Sequence, residues 1–322
     1  MFARARNALI VLLLLALGAW YLALALGSVP LDAGGLWQAL FGAQSGLERD
    51  IVLRLRLPRG VAGFATGALL ATAGALMQVL LRNPLADPYV LGISGGAAVG
   101  ALGVLWLGWG GAWIEAAAFA GAMLSMALVF GLARGKGDWT PTRLLLTGVI
   151  VAAGWGALIT FILAMAPETK LRGMLFWLMG DLSATATPWP AVAVALVGLA
   201  AVMPFARDFN VLARGELSAA SLGVDIPFLR RLIYVTASLF TAAAVTTAGS
   251  VGFVGLIVPH LLRLAGIGDM RALLPGAAIA GGTLVLLADT IARTVIAPQQ
   301  LPVGVITAFI GVPVFLYLLR RR

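Results

Sequence analysis

Charged residues are confined to short intervals along this chain. Between them lie stretches without Asp, Glu, Lys or Arg at residues 8–27, 60–81, 89–108, 116–133, 144–166, 187–206, 232–262, 272–288 and 301–319. Most are close to the ~20 residues a helix needs to cross a bilayer core of ~30 Å at a rise of ~1.5 Å per residue. The stretch 232–262 is too long for one crossing and is interrupted by Gly249, Gly252, Gly255 and Pro259. It predicts one full helix followed by a short or broken one. The pattern as a whole predicts an all-α, polytopic membrane protein with ten transmembrane helices, organised as a single domain over residues 1–322. The first stretch follows Arg4 and Arg6 and ends near Ala23-Leu24-Ala25, but it is longer than the ~7–15 apolar residues of a secretory signal, so it reads as a retained first helix. The interval 28–59 contains Asp32, Glu48, Arg49, Asp50, Arg54, Arg56 and Arg59. It reads as a polar external segment with few apolar positions.

Composition agrees with this class. Of 322 residues, 61% are hydrophobic and 11% charged, and the mean hydropathy is +1.02. A soluble domain could not bury that much apolar surface. The absence of cysteine and the single histidine, His260, exclude disulfide frameworks and multi-histidine or thiolate metal sites. No metal site is predicted. His260 follows Pro259 and reads as structural.

A net charge of +9 would suggest a nucleic-acid partner in a soluble chain. Its distribution gives a different answer. With the N-terminus in the cytoplasm, the inner side receives 15 of the 22 basic residues: Arg4, Arg6, Arg82, Arg134, Lys136, Arg143, Arg207, Arg214, Arg230, Arg231, Arg263, Arg271 and Arg320 to Arg322. The same side holds six acids, among them Asp87, Asp138, Asp208 and Asp225, while seven basic and seven acidic residues balance outside. The entire excess is therefore internal, as the positive-inside rule requires. Topology and anionic lipid explain the basicity, no nucleic acid is implied, and both termini are expected in the cytoplasm.

Three segments carry more specific information. The first runs from Leu55-Arg-Leu-Pro-Arg59 through Gln78 to Asn83-Pro-Leu-Ala-Asp-Pro88 and Gly92-Ile-Ser-Gly-Gly96. The second is Gly215-Glu-Leu-Ser-Ala-Ala-Ser-Leu-Gly223. The third extends from Gly249 through Pro259-His-Leu-Leu-Arg263 and Leu287-Ala-Asp-Thr-Ile-Ala-Arg293 to Leu301-Pro-Val-Gly-Val-Ile-Thr307. Together, from about residue 50 to the C-terminus, they closely resemble the permease family that imports vitamin B12, haem and ferric siderophores. The resemblance implies a ten-helix permease of the bacterial inner membrane, working as a homodimer with two ATPase subunits and a periplasmic substrate-binding protein. No Walker-type Gly-x-x-x-x-Gly-Lys-Ser/Thr occurs, since Gly131 to Lys136 has the wrong spacing. ATP and magnesium would therefore be used by the partner, with no cofactor bound by this chain.

The residues and the resemblance together nominate sites. In the loop at about 207–228, Glu216, Ala219 and Gly223 form a pattern for a short helix ending at the glycine. The resemblance makes it the coupling helix: Ala219 and Ala220 would touch the ATPase, with Glu216 and Arg214 orienting it. Arg56, Arg59 and Arg293 would receive carboxylates of the binding protein. Asp289, four residues before Arg293 on one helix face, reads as that arginine's counter-charge. Asn83 and Leu85 would form a cytoplasmic gate with Thr142, although Pro141 departs from the vitamin B12 relatives there. With so few intramembrane charges the path should be nearly inert, lined on the fifth and tenth helices by residues including Thr147, Thr160 and Thr307. Iron chelates rank first as cargo, ferric siderophore or haem, with cobalamin next.

Two readings of other classes remain open on sequence alone. Gly92-Ile-Ser-Gly95 with His260 would suit an intramembrane serine protease if Ser94 and the histidine lay within hydrogen-bond reach. Asp289 could serve an ion-coupled secondary carrier, which needs an intramembrane acid.

Overall fold

The structure is a computed structural model describing residues 2–27, 29–42, 46–134, 140–183 and 187–320. Lys136, Asp138, Arg321 and Arg322 of the charge pattern lie outside the described residues. Among the described residues, ten helices match the predicted crossings in order. They are α1 (Phe2–Ala25), α3 (Leu47–Leu80), α4 (Ile93–Leu107), α5 (Ala112–Arg134), α6 (Pro141–Met165), α8 (Trp189–Ala213), α10 (Ile226–Ala248), α11 (Val254–Leu264), α12 (Met270–Ala292) and α13 (Val303–Arg320). Seven are long and apolar enough to span a bilayer; α4, α11 and α13 are shorter apolar helices. Among the described residues, three further helices flank the spans: α2 (Ala33–Phe41), α7 (Glu168–Leu178) and α9 (Glu216–Ser221).

Polar side chains just before several spans have local work. Thr140 caps α6 by accepting from Arg143 N at 3.2 Å, Asp225 caps α10 through Phe228 N at 3.0 Å, and Asp269 caps α12 through Arg271 N at 3.0 Å. Each satisfies an amide that the first helical turn leaves without a partner. Pro141 occupies the first helical position of α6, where a missing N–H costs nothing.

The centre of the bundle is α3, packed against α10, α11 and α12. Of its most apolar window 89% is buried, against 11% for α6, so α3 is core and α6 periphery. Close approach depends on small residues: a Cβ at Gly67 would land on the Gly281 carbonyl, and one at Gly74 on the Gly255 carbonyl. Without a hydrophobic drive between helices in lipid, such backbone contact supplies the association energy. Gly67→Leu is expected to separate α3 from α12 and abolish the monodisperse peak in detergent size-exclusion chromatography.

The predicted break after α10 is real. Eleven residues of α11 cover only about 16 Å, and residues 249–253 are non-helical at bundle depth. Such backbone is tolerated only where protein satisfies it. The Tyr89 hydroxyl donates to Val251 O and accepts from Val251 N, each at 3.0 Å, while Asp181 N donates to Ala248 O at 2.9 Å and Val303 N to Gly180 O at 2.9 Å. The chain after α7 thus reaches inward to seal the ends of α10 and α13.

One expectation fails. The interval 28–59 is not a polar segment: its described residues include α2 and the first turns of α3, which begins at Leu47 with a π-helical stretch at Ile51–Arg56. Leu36, Ala39 and Val52 bury against Leu24 and Ala25. Charges spaced among these apolar positions disguised an amphipathic element.

Candidate functional sites at the two ends of the bundle

At one end, the ends of α1 and α12 and the first turns of α3 frame an arginine-rich cavity of about 600 Å³ lined by Arg54, Arg56, Arg59, Arg293 and Gln300. The structure brings the three nominated arginines to this one mouth and gives each an internal partner. Arg56, 5% exposed, donates to Leu24 O at 2.6 Å, Ala25 O at 3.0 Å and Val29 O. It caps the C-terminal carbonyls of α1, where a cation also meets the negative helix pole. Arg59 grips both oxygens of Asp289 at 2.8–3.0 Å and donates to Gln300 Oε1 at 2.7 Å. Arg293 Nε lies 3.6 Å from Asp289 Oδ2, and its other arm donates to Ala23 O. The helix-face pairing of Asp289 with Arg293 is therefore present, yet the tighter partner is Arg59, 230 residues away in sequence. Arg54 is an outward cation here, its side chain 79% exposed and, among the described residues, ion-paired to Asp50 one turn earlier, at 3.0 Å.

At the opposite end, α9 is fixed by charge and by its cap. Glu216 pairs with Arg82 at 3.1 Å and with Arg230, tying the short helix to the end of α3 and the start of α10. Gly223, at φ +75°, ends it with paired bonds from Gly223 N to Ala220 O and Val224 N to Ala219 O. That is the Schellman arrangement, in which the left-handed residue favours glycine. Ala219, on the inner face of α9, is wholly buried, so its side chain is turned away from the surface where a partner contact was expected. The exposed face instead carries Ala220, Leu217 at 90% and Leu222 at 69% exposure. Sequence reasoning missed the two leucines, because six residues are too few for an amphipathic period to stand out. Arg214 is exposed at the end of α8.

Beside α9 lies the Asn83–Pro88 turn. Asn83 Oδ1 accepts from Leu85 N at 2.9 Å and Asp87 from Tyr89 N at 2.8 Å. Surrounding protein desolvates Asp87 and pushes its carboxyl up to about 6, although the Tyr89 amide favours the charged form. Asp269, at the start of α12, is instead held well below the carboxylate range by hydrogen bonds from Arg271, with a further one from Asn210. Thr142 sits exposed in the first turn of α6, and the 3₁₀ turn at Pro88–Leu91 packs on the same helix. Of the nominated path residues, Thr147 is half-buried and Thr160 exposed on α6, whereas Thr307 is 2% exposed with its hydroxyl donated to Gly304 O. Thr307 thus faces the protomer's own core. The exposed face of α13 is made by Phe309, Ile310, Val312, Leu316 and Tyr317.

The apolar helices form a multi-pass membrane bundle with a charge-clamped helix at one end and a basic mouth at the other. The chain belongs to the FecCD transport family, whose model matches residues 12–321. It is 43% identical over 314 residues to the cobalamin import system permease protein BtuC of Halobacterium salinarum, covering 92% of this chain and 82% of that one. It is 39% identical over 297 residues to the vitamin B12 import system permease protein BtuC of Citrobacter koseri, covering 91% and 90%. A solved metal-chelate type ABC transporter in an inward-facing conformation superposes with a TM-score of 0.86 at 28% identity over 98% of this chain and all of that one. The chain is therefore the permease subunit of an ATP-driven importer, a transport subunit that acts with ATPase and binding-protein partners in a membrane. The protease and ion-coupled carrier readings give way to this family membership.

Proposed function

We propose that this permease imports a corrinoid of the cobalamin class, in place of the iron chelates ranked first on sequence. The observation that supports it is the pair of permeases named for cobalamin or vitamin B12, from an archaeon and a bacterium, that share 43% and 39% identity over nine tenths of the chain. The same reading places the protein in a cytoplasmic membrane with both termini inside, in a homodimer flanked by two ATPases. The apolar outer faces of α6 and α13 supply surface for the second copy, with the path between copies. The end bearing α9 is then cytoplasmic and serves the ATPase through Leu217, Ala220 and Leu222. The mouth at Arg54, Arg56, Arg59 and Arg293 faces the binding protein. Arg54 is the cation free to turn outward, and Arg56, Arg59 and Arg293 hold the surface it stands on. Asn83, Leu85 and Thr142 form the inner gate. Thr147 and Thr160 offer weak contacts along the path.

The test is uptake into proteoliposomes containing the permease, its ATPase and its cognate binding protein. ATP-dependent, saturable accumulation of radiolabelled cyanocobalamin that excess ferric hydroxamate does not inhibit is expected. Accumulation of the iron chelate with no cobalamin uptake would replace this reading with the metal-chelate one, which the 28% identical solved transporter favours.

A further inference from the structure

We propose that the groove between the start of α1 and the turn joining α11 to α12 is a binding site for an anionic phospholipid. The groove encloses about 480 Å³, within the range of sites that take small molecules. Its wall is apolar, formed by Leu9, Ile10 and Leu13 of α1 against Ile267 and Ala272. Ile10 and Leu13 are half-exposed on the outer face of the bundle, so the wall runs directly into the surface that meets lipid. The rim carries Arg6 and Arg271.

The charges at this rim do not cancel. Arg271 is bound to Asp269 through both carboxylate oxygens, at 3.1 Å from Nε and 2.5 Å from Nη2. Asp269 also accepts from Asn210 at 2.9 Å. That carboxylate is thereby spent, and among the described residues Arg6 has no ion-pair partner. The rim keeps a surplus positive charge one to two turns from the apolar wall on the same helix. A phosphate diester with an acyl chain meets both features: its headgroup reaches Arg6 and Arg271 while the chain lies along Leu9, Ile10 and Leu13. A free phosphate would gain nothing from the wall, and a zwitterionic headgroup would bring its own cation to the rim. The occupant would bridge α1 to the α11–α12 turn, elements joined here across an open groove.

The test is the thermal stability and native mass spectrum of the detergent-purified protein after lipid is removed. Phosphatidylglycerol is added back in parallel with phosphatidylcholine and with inorganic phosphate. Phosphatidylglycerol should raise the midpoint and remain bound as a discrete adduct, and the other two should do neither. Arg6→Gln should lose at least tenfold in apparent affinity and Arg6→Lys should retain most of it. Ile10→Trp, which fills the groove without changing charge, should also lose the adduct. Equal stabilisation by phosphatidylcholine, stabilisation by inorganic phosphate, or an undiminished adduct in both Arg6→Gln and Ile10→Trp would each overturn the proposal.

Discussion

Asp289→Ala is expected to destabilise the protein by about 3–5 kcal/mol, the cost of stranding buried charge when one partner is removed. The Asp289 side chain is 3% exposed, and those of Arg59 and Arg293 are 15% and 10% exposed. Removing the carboxylate leaves two guanidiniums facing one another at the mouth. Among the described residues Arg59 would keep only Gln300. Arg293, whose Nε already lacks a hydrogen-bond partner, would keep only Ala23 O. The pair also links α3 to α12, so its loss adds repulsion where those helices meet. Adding Arg59→Met and Arg293→Met to Asp289→Ala should recover much of the loss, since a buried charged cluster replaced as a unit by apolar groups is often neutral. Thermal unfolding in detergent measures both. A wild-type midpoint for Asp289→Ala would show that the arginines are satisfied elsewhere.

Leu217→Asp is expected to leave the folded permease intact and to abolish ATPase stimulation by the loaded binding protein. Leu217 is 90% exposed and contributes nothing to the protomer's core. An aspartate there would bring unpaired charge to a contact whose centre must be desolvated. Ala219→Trp, aimed at the residue nominated from sequence, should behave oppositely. Ala219 is buried on the inner face of α9, so an indole there must displace the helix, and loss of the folded protein is the expected outcome. ATPase assays on reconstituted complexes, with co-purification of the ATPase as the assembly control, separate the two. Normal stimulation in Leu217→Asp would remove the exposed leucines from the coupling contact.

Much of the architecture was legible in advance because a membrane imposes simple rules. Backbone groups must be satisfied inside each span and charges must stay near the ends, so the charge-free stretches mark the ten crossings and even the break at Gly249. The short α9 with its terminal glycine was legible for a similar reason, since Gly223 needs a positive φ and few other residues accept one. The first turns of α3 were not, because Arg49, Arg54, Arg56 and Arg59 look external when charges are merely counted. They are tolerated there because carbonyls of α1 and a carboxylate of α12 receive Arg56 and Arg59.

The sequence by itself determined the number and order of the spans and the chemical types present at each end. Those follow from hydropathy and local backbone preference, which depend on near neighbours along the chain. Only the tertiary structure decided which partner each charge takes and which face of each helix is covered. Asp289 belongs chiefly to Arg59 and not to Arg293, Glu216 joins Arg82 to Arg230, and Ala219 and Thr307 turn inward while Leu217 turns out. Pairings between residues hundreds of positions apart, and the rotation of a helix about its axis, are set by packing against other helices. In a helix that is apolar on every side, no periodicity records which face that packing will choose.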